Sequence, residues 1–98
     1  MIRHIVMFKL KEENKSASMK EFCERSKTLE AIGEVRRFEV VCNGHDMPQS
    51  NYDAALIIDF DNQEDLDRYQ CNPIHQAFGA FVSGVRESRA CIDYYFEK

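Results

Sequence analysis

The sequence has few of the residues that mark unusual protein classes. It contains no tryptophan, two prolines and four glycines among 98 residues, which excludes collagen-like and low-complexity chains. Its first apolar stretch, MIRHIVMFKLK, is too short and too charged for a signal peptide or a membrane span. The four cysteines are far apart and form no C-x-x-C pair. We therefore predict a cytoplasmic protein with reduced cysteines and no membrane partner.

Blocks of a single charge sign are also missing. The 13 basic and 17 acidic residues are interspersed and give a formal net charge of −4, so we predict no nucleic acid partner. The sequence has no glycine-rich phosphate loop, nucleophile elbow or H-E-x-x-H motif, and it predicts neither a cofactor nor a metal site. A chain of this length forms one domain, residues 1–98. Since such a domain buries only about two thirds of its unfolded surface, association with a second copy is favoured.

The first ten residues predict a strand with two apolar faces. Residues 2, 4, 6, 8 and 10 point to one side and residues 3, 5, 7 and 9 to the other, and both sets are apolar at their centres. Further strands are predicted at 35–42, 52–60 and 88–97 from β-branched and aromatic residues. A capping box that begins at Ser18 predicts a helix at about 16–31.

The second helical region is interrupted. Asn62 is its predicted N-cap, and Pro73 stops or bends it because the proline ring removes a donor and clashes with the preceding turn. The predicted order is therefore β-α-β-β-α-β with the last helix broken. This order is typical of an α+β, ferredoxin-like fold in which a four-stranded antiparallel sheet carries its helices on one face. Because the other face of the sheet is also apolar, we predict a homodimer through this open face, a dimeric α/β barrel.

Three polar aromatic side chains are candidate site residues. His4 lies on the same face as Val6 and Phe8, where a lone histidine is more often a buried, hydrogen-bonded group than a catalyst. His75 follows Pro73 near a helix N-terminus, whose field favours the neutral ring, although a solvent-facing turn residue is an equal alternative. Tyr69 is on the apolar stripe and is more often a core residue than a catalyst.

Three blocks of the sequence, in order, resemble the stress-responsive dimeric α/β-barrel (Dabb) family. They are IRHIVMFKLK, NYDAALIIDFDNQEDLDRYQCNPIHQAF and CIDYYFE. The resemblance spans nearly the whole chain. It implies a ferredoxin-like protomer that dimerises through its sheet and has a cavity between sheet and helices.

The resemblance also implies candidate roles. Olivetolic acid cyclase, a distant plant relative, closes a ring without a cofactor and uses a histidine, a tyrosine and a second histidine at positions that match His4, Tyr69 and His75. This chain departs from that pattern at Ala54 and Asn72, where the relative's motif has histidines. The departures weaken a polyketide-cyclase function.

The sequence therefore supports several hypotheses. The first is a pocket for a small apolar carbonyl or phenolic ligand, lined by Val6, Phe8 and Leu56, with His75 as base and Tyr69 or His4 as donor. One alternative is a cofactor-independent enzyme that resembles polyketide cyclases or monooxygenases. Another is a non-enzymatic stress homodimer whose histidines are structural.

Overall fold

The computed structural model describes residues 1–97, which form one sheet covered by helices. In chain order the elements are β1 (Ile2–Leu10), α1 (Lys15–Ser26), β2 (Arg37–Cys42), β3 (Ala54–Phe60), α2 (Gln63–Cys71), α3 (Pro73–Val85) and β4 (Arg86–Tyr95). A 3₁₀ segment, Lys27–Ala31, follows α1. The predicted ferredoxin-like α+β fold is confirmed, including the broken second helical region.

The sheet has the order β2-β3-β1-β4, and every neighbouring pair is antiparallel. β1 is therefore a central strand, hydrogen-bonded on both sides. Its residues alternate between buried and half-buried along the whole strand. The buried set faces the helices, because it packs with helix residues such as Phe22 and Phe78. The Phe22 ring lies edge to face with the rings of Phe8 and Phe78, at centroid distances of 5.2 and 5.5 Å, and its full burial contributes about 1.5–3 kcal/mol.

The start of α1 differs from the predicted capping box. The helix begins at Lys15, and Asn14 before it has φ 55°, a left-handed conformation that asparagine tolerates better than most residues. Ser18 lies inside the helix, where its main-chain N–H donates to the carbonyl of Asn14. The capping-box interpretation was wrong because the same S-x-x-E spacing also occurs within helices.

Asn72 separates α2 from α3 and serves both helices. Its main-chain N–H donates to the carbonyl of Tyr69 at the end of α2. Its side-chain Oδ1 accepts from the N–H of Ile74, at 2.8 Å, in the first turn of α3. Pro73 occupies the first helical position, where its missing N–H costs nothing. Asn72 and Pro73 together end one helix and start the next in a new direction.

The face of the sheet away from the helices carries a partly buried ion pair. Arg3 donates from Nε and Nη2 to the two carboxylate oxygens of Asp59, at 2.7 and 2.9 Å. The two residues lie opposite each other on β1 and β3. Asp59 is therefore held by a charged partner on the neighbouring strand.

None of the helices in residues 1–97 combines the length and the apolar character that crossing a membrane requires.

Replacing Asn72 tests its capping role. We expect Asn72→Ala to lower the free energy of unfolding by about 1 kcal/mol, because the N–H of Ile74 loses its acceptor. Asn72→Asp keeps an acceptor and adds a favourable charge at the N-terminus of α3, so it should stay within about 0.5 kcal/mol of the unsubstituted protein. Urea denaturation measures both values. Equal stability of the alanine and aspartate variants would contradict the capping role.

Candidate functional site

A cavity of about 570 Å³ lies between the helix-covered face of the sheet and helices α2 and α3. Its apolar wall combines sheet and helix side chains: Val6, Phe8, Leu56, Phe78 and Val82. Its polar groups are His4, Tyr69, Gln70, His75, Gln76, Ser83, Arg86 and Arg89. The cavity thus has the size and the mixed lining that are typical of small-molecule sites.

The rings of His4, Tyr69 and His75 form a continuous row along this lining. Tyr69 is in the middle, with its ring centroid 6.4 Å from that of His4 and 4.7 Å from that of His75, both in edge-to-face geometry. The ring of Phe60 also packs against the tyrosine ring, at a centroid distance of 4.9 Å. His4 and Tyr69 are only 3 and 2 % exposed, and His75 is half-buried. The break at Asn72 allows this row, because Tyr69 belongs to α2 and His75 to α3.

His4 is oriented by Asp93, its direct partner on β4. The distance between His4 Nδ1 and Asp93 Oδ1 is 2.5 Å. Because a carboxylate only accepts hydrogen bonds, Nδ1 carries the proton and donates it. In the neutral ring Nε2 is then an acceptor, the arrangement that a carboxylate imposes on many catalytic histidines.

The environment of His75 favours its neutral form. Burial is the main cause that lowers the pKa of His75, and electrostatic interactions with His4 and Arg89 act in the same direction. A hydrogen bond to the main chain of Gln70 opposes the shift. The sequence predicted a neutral ring from the helix field; the direction agrees, but desolvation is the larger cause. At neutral pH this ring is available as a proton acceptor.

The environment of Tyr69 shifts its pKa in the opposite direction to that of His75. Burial raises the pKa of its hydroxyl well above the ordinary value, so the group remains protonated over the whole physiological range. A tyrosine in this state acts as a hydrogen-bond donor and not as a base.

One group of metal-ligating side chains occurs in residues 1–97. His4, Cys91 and Asp93 offer ligand atoms that all lie within 4.8 Å of one another. The sulfur of Cys91 lies 3.5 Å from His4 Nδ1. Since that nitrogen already donates to Asp93, a metal ion here would have to displace the shared proton.

The six residues that the sequence singled out all line this one cavity: His4, Val6, Phe8, Leu56, Tyr69 and His75. Their functional roles stay predictions. Sequence reasoning missed Asp93, Arg86 and Arg89. The place of Asp93 beside His4 depends on the register between two strands that are far apart in the chain.

Comparison with known families and structures identifies close relatives of this chain. The model of the stress responsive A/B barrel domain (Dabb) matches residues 2–96. A Dabb family protein with a ferredoxin-like fold from Mesorhizobium loti is 31% identical, with a TM-score of 0.81, and the match covers 99% of this chain and 97% of that one. No curated protein sequence matches significantly.

Two other solved structures are similar to this chain at different levels of sequence identity. A dimeric protein of unknown function with a ferredoxin-like fold from Bacteroides fragilis is 37% identical over 97% of this chain and 95% of its own, with a TM-score of 0.85. An antibiotic biosynthesis monooxygenase covers 100% of both chains with a TM-score of 0.80 but is 9% identical, which shows a shared fold and nothing more. Because the family model matches nearly the whole length, this chain belongs to the stress responsive A/B barrel domain family.

Proposed function

We propose that the protein binds a small apolar carbonyl or phenolic molecule in the cavity and removes a proton next to the carbonyl group. The observation that supports this most directly is the row of His4, Tyr69 and His75 beside the apolar sheet residues Val6, Phe8 and Leu56 in one cavity. An apolar wall with a few convergent polar groups is the usual composition of a ligand site.

His75 is the proposed base. Its lowered pKa keeps the ring neutral at pH 7, and edge-to-face contact with the ring of Tyr69 positions it. A neutral imidazole has one ring nitrogen without a proton, and this nitrogen can accept a proton from the ligand.

Tyr69 is the proposed donor to the oxyanion that forms on the ligand. Its hydroxyl stays protonated because burial raises its pKa. His4 is less suited to this role in its neutral state, since its N–H donates to Asp93. His4 instead positions the tyrosine ring through edge-to-face contact, and a fixed donor aimed at the developing charge is what enolate formation requires.

We also propose that two protomers associate through the sheet face that the helices leave open. This face is apolar at its centre, and Ile92 on it is 60% exposed while Val41 and Tyr94 are both 38% exposed. Ile5 lies between Ile57 and Ile92 in the strand register, which gives the face an isoleucine row at its centre. The relative from Bacteroides fragilis is described as dimeric, and an open apolar sheet of this kind is suited to face-to-face packing.

Blocking the cavity tests ligand binding. A Cβ at Gly79, which lines the cavity, meets no heavy atom within 4 Å, so Gly79→Leu should fill the cavity without a clash. Gly84 on the same helix has equally open surroundings outside this lining. We expect Gly79→Leu to weaken fluorescence-detected binding of the neutral probe N-phenyl-1-naphthylamine by about tenfold, and Gly84→Leu to leave it unchanged. Equal binding by the two variants would contradict binding in this cavity.

Proton exchange tests the catalytic step. With 2-acetylnaphthalene in D₂O, we expect the protein to accelerate exchange of the methyl protons next to the carbonyl, as followed by NMR. His75→Gln should reduce this acceleration by about a hundredfold. His45 lies in an exposed loop, so His45→Gln is the matched control. Binding without any accelerated exchange would leave a binding protein and exclude the base role.

The exchange rate should depend on pH through His75. Because the neutral ring is the base, the rate falls as the pH drops through the pKa of His75. That pKa is lowered by burial, so half of the maximal rate should be reached below the ordinary histidine value of about 6.5. The same shift means that the unfolded chain binds more protons below about pH 6.5, so stability falls as the pH is lowered through this region toward the folded pKa. His75→Gln should remove this contribution, which urea denaturation at several pH values can measure.

A charge on the open sheet face tests the dimer. We expect light scattering with size exclusion to give twice the protomer mass of 11.5 kDa for the unsubstituted protein. Ile92→Lys should produce the monomer, because two lysines would be buried without partners. Ile74, 38% exposed on α3 in the helical layer, provides the control Ile74→Lys, which should remain dimeric. A monomeric unsubstituted protein at micromolar concentration would contradict the proposed interface.

A further inference from the structure

Two arginines differ from the others in their partners. The chain has seven arginines, and within residues 1–97 five of them have a carboxylate within 4.0 Å: Arg3, Arg25, Arg36, Arg37 and Arg68. Among the described residues no carboxylate lies that close to Arg86 or Arg89. Both of these arginines line the cavity. The two arginines without an acidic partner among the described residues are therefore both at the site.

A β-bulge brings the two guanidinium groups to the same side of the sheet. Residues three apart on a regular strand point to opposite faces. Here the register shifts between Lys9 and Leu10, so that Arg89 pairs with Phe8 and Arg86 pairs with Leu10. Phe8 and Leu10 both face the helices, and their partners on β4 do so as well. The bulge thereby directs Arg86, in addition to Arg89, toward the cavity. Bulges next to functional sites often redirect a side chain in this way.

Helix capping explains only part of this arrangement. Arg86 is the C-cap residue of α3, where a cation interacts favourably with the helix dipole. Arg89 lies three residues further along β4 and is exposed. Asp93 lies on the same face of that strand but binds His4. Among the described residues, no carboxylate therefore forms an ion pair with either arginine at this end of the cavity.

Building on the proposed carbonyl site, we infer that the ligand is an organic carboxylate whose anionic group binds Arg86 and Arg89. Guanidinium groups bind carboxylates through paired, charge-assisted hydrogen bonds. The apolar body of the ligand then contacts Val6, Phe8 and Leu56, and its carbonyl group reaches the histidines and tyrosine. The substrate class is that of aryl or alkyl keto acids and phenolic acids.

Two probes of the same shape isolate the contribution of the charge. The anion 2-naphthoate and the neutral 2-acetylnaphthalene differ only in the replacement of a carboxylate oxygen by a methyl group. Each is titrated against the protein with bound N-phenyl-1-naphthylamine, and displacement yields an inhibition constant. We expect the unsubstituted protein to bind the naphthoate more tightly than the ketone.

The double variant Arg86→Gln/Arg89→Gln provides the decisive comparison. It should weaken 2-naphthoate binding by about tenfold or more while leaving 2-acetylnaphthalene within about twofold, because only the anion makes charge-assisted bonds. The control Arg36→Gln/Arg68→Gln removes the same net charge at two ion-paired surface positions and should change neither value.

The possible failures are distinguishable. If the neutral ketone displaces the probe but the naphthoate binds no more tightly, or if both arginine pairs have the same effect, carboxylate recognition is wrong and the proposed cavity function stands. An equal loss of both probes in the Arg86/Arg89 variant would show that these residues support the fold and would also overturn the inference. If neither compound displaces the probe, the proposed function fails together with the inference.

Discussion

The rest of the structure depends on the central position of β1. A strand that is hydrogen-bonded on both sides must have both of its faces covered, and β1 is apolar at the centre of each. The helices cover one face and build the core there. Because His4 lies on that same face, it is only 3% exposed, and a buried imidazole requires a partner. Asp93 of the neighbouring strand is that partner. Burial of His4 thus requires a hydrogen bond that also orients its ring.

The interrupted helix provides the other half of the site. A single straight helix from 63 to 85 would carry Tyr69 and His75 on different sides, since six residues correspond to well over one and a half turns. Asn72 instead ends α2 and caps α3, and the change of direction brings the two rings to a centroid distance of 4.7 Å. Burial in the cavity lowers the pKa of His75 and raises the pKa of Tyr69. It favours the neutral imidazole as an acceptor and the neutral phenol as a donor, which is the pair that removal of a proton next to a carbonyl needs.

The charges around the cavity are distributed unevenly. Most arginines of the chain are neutralised on the surface, and one, Arg3, is held by the buried carboxylate of Asp59 on the open sheet face. The two arginines at the cavity lack such partners in the described residues. The bulge in β4 places Arg86 on the same face as Arg89, opposite Leu10 and Phe8 of β1.

Features that follow local rules were predictable from the sequence. Alternation in β1, the N-cap at Asn62 and the break at Asn72-Pro73 are periodic or stereochemical, so they were readable along the chain and led to the fold and to His4, Tyr69 and His75. The start of α1 was misread because one short motif is compatible with several helix positions. Three contacts were visible only in the folded protein: Asp93 orients His4, Asp59 binds Arg3, and Arg86 joins Arg89 at the cavity. Each of these depends on the register of strands distant in sequence or on one inserted residue, and a shift by a single position moves a side chain to the opposite face.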